Sequence, residues 1–229
     1  QTTDDNPRYA QADPNNRLLW RANIRRLEFE TLRDSLLAIG GSLDATMYGR
    51  PVDLERNPES RRRTVYGVID RSDVLDVLVN FDFANPDMPS GKRYETSVPQ
   101  QALFLMNSPV VVEQAKKLVA LKEFPDAVSD EARVQFLYER IYQRPARPEE
   151  IKLGLDFVSQ ATRPSDISTG EAPVQTVANF SRRPGPRQVA KQLRLERNRG
   201  SESRKRAPLT AWQEYAHALL QANEASFVN

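Results

Sequence analysis

The sequence predicts a mainly α-helical, irregular domain with long loops and at most a minor β element. Three observations carry this. Apolar residues recur every three to four positions in several separate windows, each opened by a capping residue or a proline. Only one short stretch, "TVYGVID" from Thr64, alternates branched and aromatic residues as a strand does. The 16 prolines and 9 glycines fall mainly between the periodic windows.

Residues 1–14, "QTTDDNPRYAQADP", are polar and aperiodic and read as an irregular lead-in. From Asn16 the spacing of Leu18, Leu19, Trp20 and Leu27 turns towards a helical repeat, which is strongest from Glu28 to Ile39 and stops at Gly40-Gly41. Residues 44–63 read as loop, "TVYGVID" as the best strand candidate, and Ser72 as the cap of a short helix through Val79. After a broken loop at 84–97, Pro99 opens a helix ending near Asn107. Ser108 and Pro109 then start another. "SDEARVQFLYERIYQ" puts Val134, Leu137 and Ile141 on one face, and "RPEEIKLGLDFVSQA" does so with Ile151, Leu155 and Val158. With "RPARP" between them, the two predict a helical hairpin. A last helix starts at Thr210 and presents Trp212, Tyr215, Leu219 and Leu220.

The organisation expected is therefore a helical core over 1–162 with a loop-rich junction at 81–109, a basic flexible linker or insertion over 163–208, and a C-terminal helix over 209–229 that docks back on the core. Five prolines lie in 163–208, and a helical turn is expected only around Gln188–Arg197. Net charge is +2, yet Arg182 to Arg206 holds ten Lys/Arg against Glu196 and Glu202, a net of +8 on an otherwise acidic body.

Composition excludes much chemistry. The chain has no cysteine, so it offers no disulfide, thiolate metal site, Cys nucleophile or Cys-x-x-Cys-His haem attachment. One histidine, His217, is too few for a His-rich metal centre and reads as a partly buried helix residue. The longest apolar run is five residues, Ala102–Met106, against roughly 18 for a membrane helix. A P-loop fails because Pro86 stands where the first glycine belongs before Gly91-Lys92. Gly-x-Ser-x-Gly and calcium-loop patterns are missing as well. No cofactor or metal site is expected in this segment.

Candidates remain. Asp70, Asp82, Asp87 and Glu95 flank the broken loop and would supply paired carboxylates for acid–base work on a glycosidic bond. The favoured reading is structural: they pair with Arg62, Arg63, Arg71 and Arg93 to fix the junction. Tyr66, Phe81, Phe83 and Tyr94 would stack on a sugar, but the core reading is favoured for them too. In "RRLEFETLRDSLL", Arg25, Arg26 and Arg33 crowd Glu28, Glu30 and Asp34, which reads as a solvated or domain-facing helix side rather than an anion site. Arg182, Arg183, Arg187, Lys191, Arg194, Arg204, Lys205 and Arg206 would bind an anionic polymer with steep salt dependence. With Phe180 the one aromatic nearby and no reading module, nucleic acid is disfavoured as a partner and a solvated linker is preferred.

"DPNNRLLWRANIRRLEFETLRDSLLAIGGSLD", "RRRTVYGVIDRSD", "FDFANPD", "ETSVPQQALFLMNSPVVVEQA" and "WQEYAHALLQANEASFVN" resemble, in order, the C-terminal domain of unknown function of planctomycete cytochrome-c-associated exported proteins. The resemblance runs from Asn6 to Asn229 and lapses over 163–208. It implies a periplasmic, cell-envelope or secreted location, upstream domains of the same protein as partners, haem c on another segment, and a polysaccharide as a candidate ligand. It carries over no catalytic residue. It implies a non-catalytic structural and interaction module; the alternative is part of a carbohydrate-active enzyme completed by an N-terminal portion. Opening on Gln1, the chain reads as a piece of a longer protein, which predicts uncovered apolar surface and poor solubility or dimerisation in isolation.

Overall fold

The computed structural model describes residues 6–23, 25–124, 126–162 and 208–228. Its first element is a helix within the expected irregular lead-in. In α1 (Pro7–Ala12) the Asn6 side chain accepts from the Arg8 N–H at 3.1 Å and Pro7 supplies a preset φ, which suffices for six residues without an apolar stripe. The helical trend expected from Asn16, by contrast, does not become a helix. Residues 13–23 form a loop in which buried Asp13 and Asn16 take the backbone bonds: Leu18 N–H donates to Asp13 Oδ2 at 2.7 Å, and Asn16 Nδ2 donates to the Arg21 carbonyl at 2.9 Å. Such local side-chain bonds outcompete the helical ladder.

After β1 (Arg25–Arg26), α2 (Phe29–Ile39) buries Phe29, Leu32, Leu36 and Leu37 and closes on Gly41, whose φ of +65° is left-handed. The expected strand at "TVYGVID" is a 3-10 turn, Thr64–Tyr66, with single bridges Asp44–Arg62 and Val52–Gly67 on either side. Side chains of α2 claim the backbone there. Asp34 Oδ1 accepts from Thr64 N–H at 2.7 Å and Oγ1 at 2.6 Å, so no ladder extends. Next comes α3 (Asp76–Asn80), which starts after Leu75 rather than Ser72. Ser72 is spent on a turn, giving its N–H and its hydroxyl to Asp70 Oδ1 at 2.9 and 2.7 Å.

From there local signals and structure agree closely. α4 (Pro99–Asn107) and α5 (Pro109–Val119) each open on a proline. α6 (Asp130–Tyr142) is capped by Ser129, whose hydroxyl accepts from Ala132 N–H at 3.2 Å. α7 (Pro148–Thr162) follows and packs against it. In α8 (Ala211–Gln221), Thr210 and Gln213 cap each other reciprocally. α9 (Asn223–Ser226) leads to β2 (Phe227–Val228), which pairs antiparallel with β1, Arg26 opposite Phe227.

The domain is mainly α-helical, and this two-residue pair is its small β element among the described residues. α8 packs most extensively on α5 and also meets α4, α6 and α7, while α2 lies against α5. Leu32, Leu118, Leu137, Val111, Val134 and Leu220 are fully enclosed, each worth roughly 1.5–3 kcal/mol relative to exposure. Gly154 lets α7 approach α8: a Cβ there would stand 2.4 Å from the Tyr215 hydroxyl. No helix among the described residues is long and apolar enough to cross a membrane.

Candidate functional site

The junction at 81–109 is held by a few polar side chains acting across chain distance. Asp82 ends α3 in the left-handed region, φ +60°, and its carboxylate accepts from Thr96 N–H and Oγ1, both at 2.8 Å. That clasp closes the loop 83–95. Gln101, buried in the first turns of α4, gives Nε2 to the carbonyls of Asn80 at 2.7 Å and Thr96 at 3.2 Å, while its Oε1 accepts from Val98 N–H at 3.0 Å and from Arg26. Arg26 also donates to the Thr96 carbonyl at 2.9 Å and lies 5.2 Å over the Phe81 ring. Burial lowers the Arg26 pKa, against the opposing pull of Asp82. Beneath these groups Phe29, Phe81 and Phe104 meet with ring centroids 5.3–5.7 Å apart.

Asp82 and Glu95 both line a cleft here, with Arg25, Arg26, Arg93 and Gln101. It offers about 50 Å³, far below the roughly 300–1,000 Å³ of a small-molecule pocket. Its charges are engaged. Glu95 pairs with Lys92 at 3.1 Å and Arg25 at 3.9 Å. Arg93 forks onto Glu30 with two bonds of 2.9 Å, reaches Glu28 at 3.3 Å and stacks 4.7 Å over Phe83. The Glu30 bonds raise the Arg93 pKa. Asp70 and Asp87 are not in the cleft. Asp70 sits in the 70–73 turn, its pKa lowered chiefly by the Ser72 hydroxyl, and the Asp87 N–H donates to Asn85 Oδ1 at 2.9 Å.

Asp82, Glu95 and Arg93 therefore hold the junction, with other partners than the sequence suggested, while Asp70 bonds within its own turn. Arg62 donates to the Arg50 carbonyl at 2.9 Å and lies 4.2 Å over Tyr66, and Arg63 pairs with Asp34 at 3.8 Å. Of the aromatics, Phe81 and Phe83 join or border the core, whereas Tyr94 is exposed. Of the charged side expected to be solvated or domain-facing, Arg33 is not solvated. It is buried and donates to the carbonyls of Arg62, Pro58 and Ser60 and to Thr64 Oγ1; burial lowers its pKa. Its signal was available, because Arg33 shares the apolar stripe of Phe29, Leu36 and Leu37.

A second network had no sequence signal beyond the "RPARPEE" loop. Arg144 forks onto two carboxylates at once, Glu150 at 2.8 and 2.9 Å and Glu224 at 2.5 and 2.9 Å, tying the α6–α7 turn to α9. Tyr138 and Tyr142 flank its guanidinium at 5.3 and 5.7 Å. The Arg144 bonds hold the Glu150 carboxyl down to about 2. Burial raises Tyr142 and Tyr215; the Tyr142 hydroxyl donates to the Leu219 carbonyl at 2.9 Å. His217 is half-buried on α8 and bonds the Leu105 backbone, and desolvation lowers its pKa.

Among the described residues no three His, Cys, Asp or Glu side chains gather as a metal site. The basic residues from Arg182 to Arg206 lie outside the described residues.

Residues 1–158 match the family PSD1, described as a protein of unknown function (DUF1553). The chain belongs to this family. No curated protein and no solved structure matches it. The DUF1553 match stops within α7, yet α8 contributes Tyr215, Ala216, Leu219 and Leu220 to the same core. The folded unit of this DUF1553 chain thus includes a helix beyond the matched stretch.

Proposed function

We propose that this DUF1553 domain is a non-catalytic structural and interaction module of a multidomain exported protein, packed against that protein's other domains. One observation carries the reading: Asp82 and Glu95, the acids that share a cleft, hold the junction together through Thr96, Lys92 and Arg25. On this reading the parent protein works in the periplasm, cell envelope or secreted fraction, with haem c, where present, on another segment, since this chain has no cysteine to attach it. A polysaccharide is the candidate ligand of the assembly. The test is catalytic. The 229-residue chain is expected to turn over no polysaccharide and reduce no dye, and Glu95→Gln is expected to leave the parent protein's activity intact. Turnover by the chain alone would overturn the proposal.

The alternative is a carbohydrate-active centre completed by another segment, favoured by the convergence of Asp82 and Glu95 on one cleft. It requires that Glu95→Gln and Asp82→Asn abolish the parent protein's activity while the fold is retained. Anionic-polymer binding through Arg182–Arg206, with its net of +8, is the third reading. Deleting the segment must then remove salt-sensitive binding.

A further inference from the structure

The chain's one histidine stands where two helices meet at a broken backbone ladder. Inside a helix each carbonyl accepts from the N–H four residues on. For Leu105, near the end of α4, that residue is Pro109, which has no N–H. The Phe104 carbonyl still receives the Ser108 N–H at 2.8 Å, so the ladder ends one step before Leu105. Leu105 is buried, 4% exposed, and a buried carbonyl left unpaired is costly. The missing donor comes from α8, where His217 bonds the Leu105 backbone.

The two ring nitrogens have different surroundings. Nε2 is sealed from solvent and finds no hydrogen-bond partner among the described residues. The donor to Leu105 is therefore Nδ1–H, and in the neutral ring Nε2 is a bare acceptor. A protonated ring has a second N–H with nothing to accept it, and a charge partly out of water. No carboxylate offsets that charge. α4 has no titratable side chain. Glu113, Lys116 and Lys117 of α5 and the exposed Glu214 of α8 exert no pull on the ring, nor do the charges of α6, α7 and α9.

We propose that His217 is a proton-sensitive latch between α8 and the α4–α5 corner. With the ring neutral, Nδ1–H completes the broken end of α4 and holds α8 in place. A proton taken up at Nε2 puts an unpaired donor and a charge into that contact and loosens it. α8 meets α4, α5, α6 and α7, so the loosening is felt by the whole helical unit. Burial leaves the folded ring less ready to take a proton than the unfolded chain, whose ordinary value is 6.5. The latch's contribution is thus complete above pH 6.5 and is lost as pH falls below it. The latch goes beyond the module reading and holds whether or not that reading does.

The test is imidazole NMR of the 229-residue chain, in which a single histidine leaves one ring to observe. At about pH 7.5 the nitrogen shifts should show Nδ1 protonated and Nε2 bare. The ring's titration midpoint should lie below 6.5 in the folded chain and return to it in urea. Urea unfolding then reads the coupling to stability. Below pH 6.5 the wild-type unfolding constant should rise relative to that of His217→Gln, by up to about tenfold per pH unit for one proton. Glutamine keeps an amide donor for Leu105 and does not titrate. Should the variant not fold, the wild-type ring titration decides alone. A ring protonated on Nε2 at neutral pH, a folded midpoint at or above 6.5, or wild type and variant losing stability in parallel would each overturn the latch.

Discussion

The helices α5 to α8 and the loops from Leu43 to Val98 are held together by different forces. The helical part is a shared apolar interior: Val111, Leu118, Val134, Leu137 and Leu220 are enclosed by one another. The loop part hangs on discrete bonds from a few side chains, namely Arg33, Asp34, Asp82 and Gln101, each satisfying two or more partners. Burial is additive and spread over many contacts, so damage to it is felt by the whole unit. A polar clasp is local, and its loss leaves particular carbonyls or amides unpaired.

The largest expected break is on the helical side. Leu118→Ala should cost about 3–5 kcal/mol in urea unfolding, because a fully enclosed leucine leaves a cavity its neighbours fill poorly. Next comes Arg33→Met, with a loss of about 2–3 kcal/mol as the carbonyls of Pro58 and Arg62 lose their donor. Hydrogen exchange should then show residues 58–67 opening first while α5 and α8 stay protected; uniform loss of protection would erase the distinction between the two regions.

Acid tests the Arg144 network. The Arg144 bonds hold the Glu150 carboxyl at about 2 in the folded protein, below the ordinary 4.5 of a free glutamate. Its contribution is therefore complete above about pH 4.5 and lost as pH falls towards 2, worth about 1–2 kcal/mol once solvent screening is allowed for. The stability difference between wild type and Glu150→Gln should shrink over that window, and a constant difference would contradict the assignment. At the clasp, Asp82→Ala should cost about 1–2 kcal/mol, but Asp82→Asn under about 1 kcal/mol, since asparagine tolerates the left-handed backbone and still accepts from Thr96. Leu18→Ala, at a position 84% exposed, should change monomer stability by less than about 0.5 kcal/mol.

Legibility follows the same division. Pro99, Pro109, Ser129 and Thr210 announced their helices because caps act within one turn, and the spacing of Val134, Leu137 and Ile141 named a face that is indeed buried. Leu18 and Leu19 misled because apolar spacing says nothing about whether a local clasp from Asp13 will take the backbone first. "TVYGVID" has strand composition without a partner strand, and composition alone makes no ladder. In the candidate site, the acids were identifiable but their partners were not: Arg93 reaches back 63 residues to Glu30, and Glu224 lies 80 residues beyond Arg144.

By itself, then, the sequence determined a mainly helical domain, the boundaries of its later helices, the faces they bury and the absence of cysteine chemistry. These follow from interactions that span four residues or fewer, or from composition. Only the tertiary structure decided that Arg33 and Gln101 are buried anchors, that Asp82 and Glu95 share a cleft while Asp70 and Asp87 do not, and that Leu18 and Leu19 stand exposed at the tip of the 13–23 loop. Those depend on which distant backbone groups the packed helices bring within hydrogen-bond reach, and no local pattern encodes that distance.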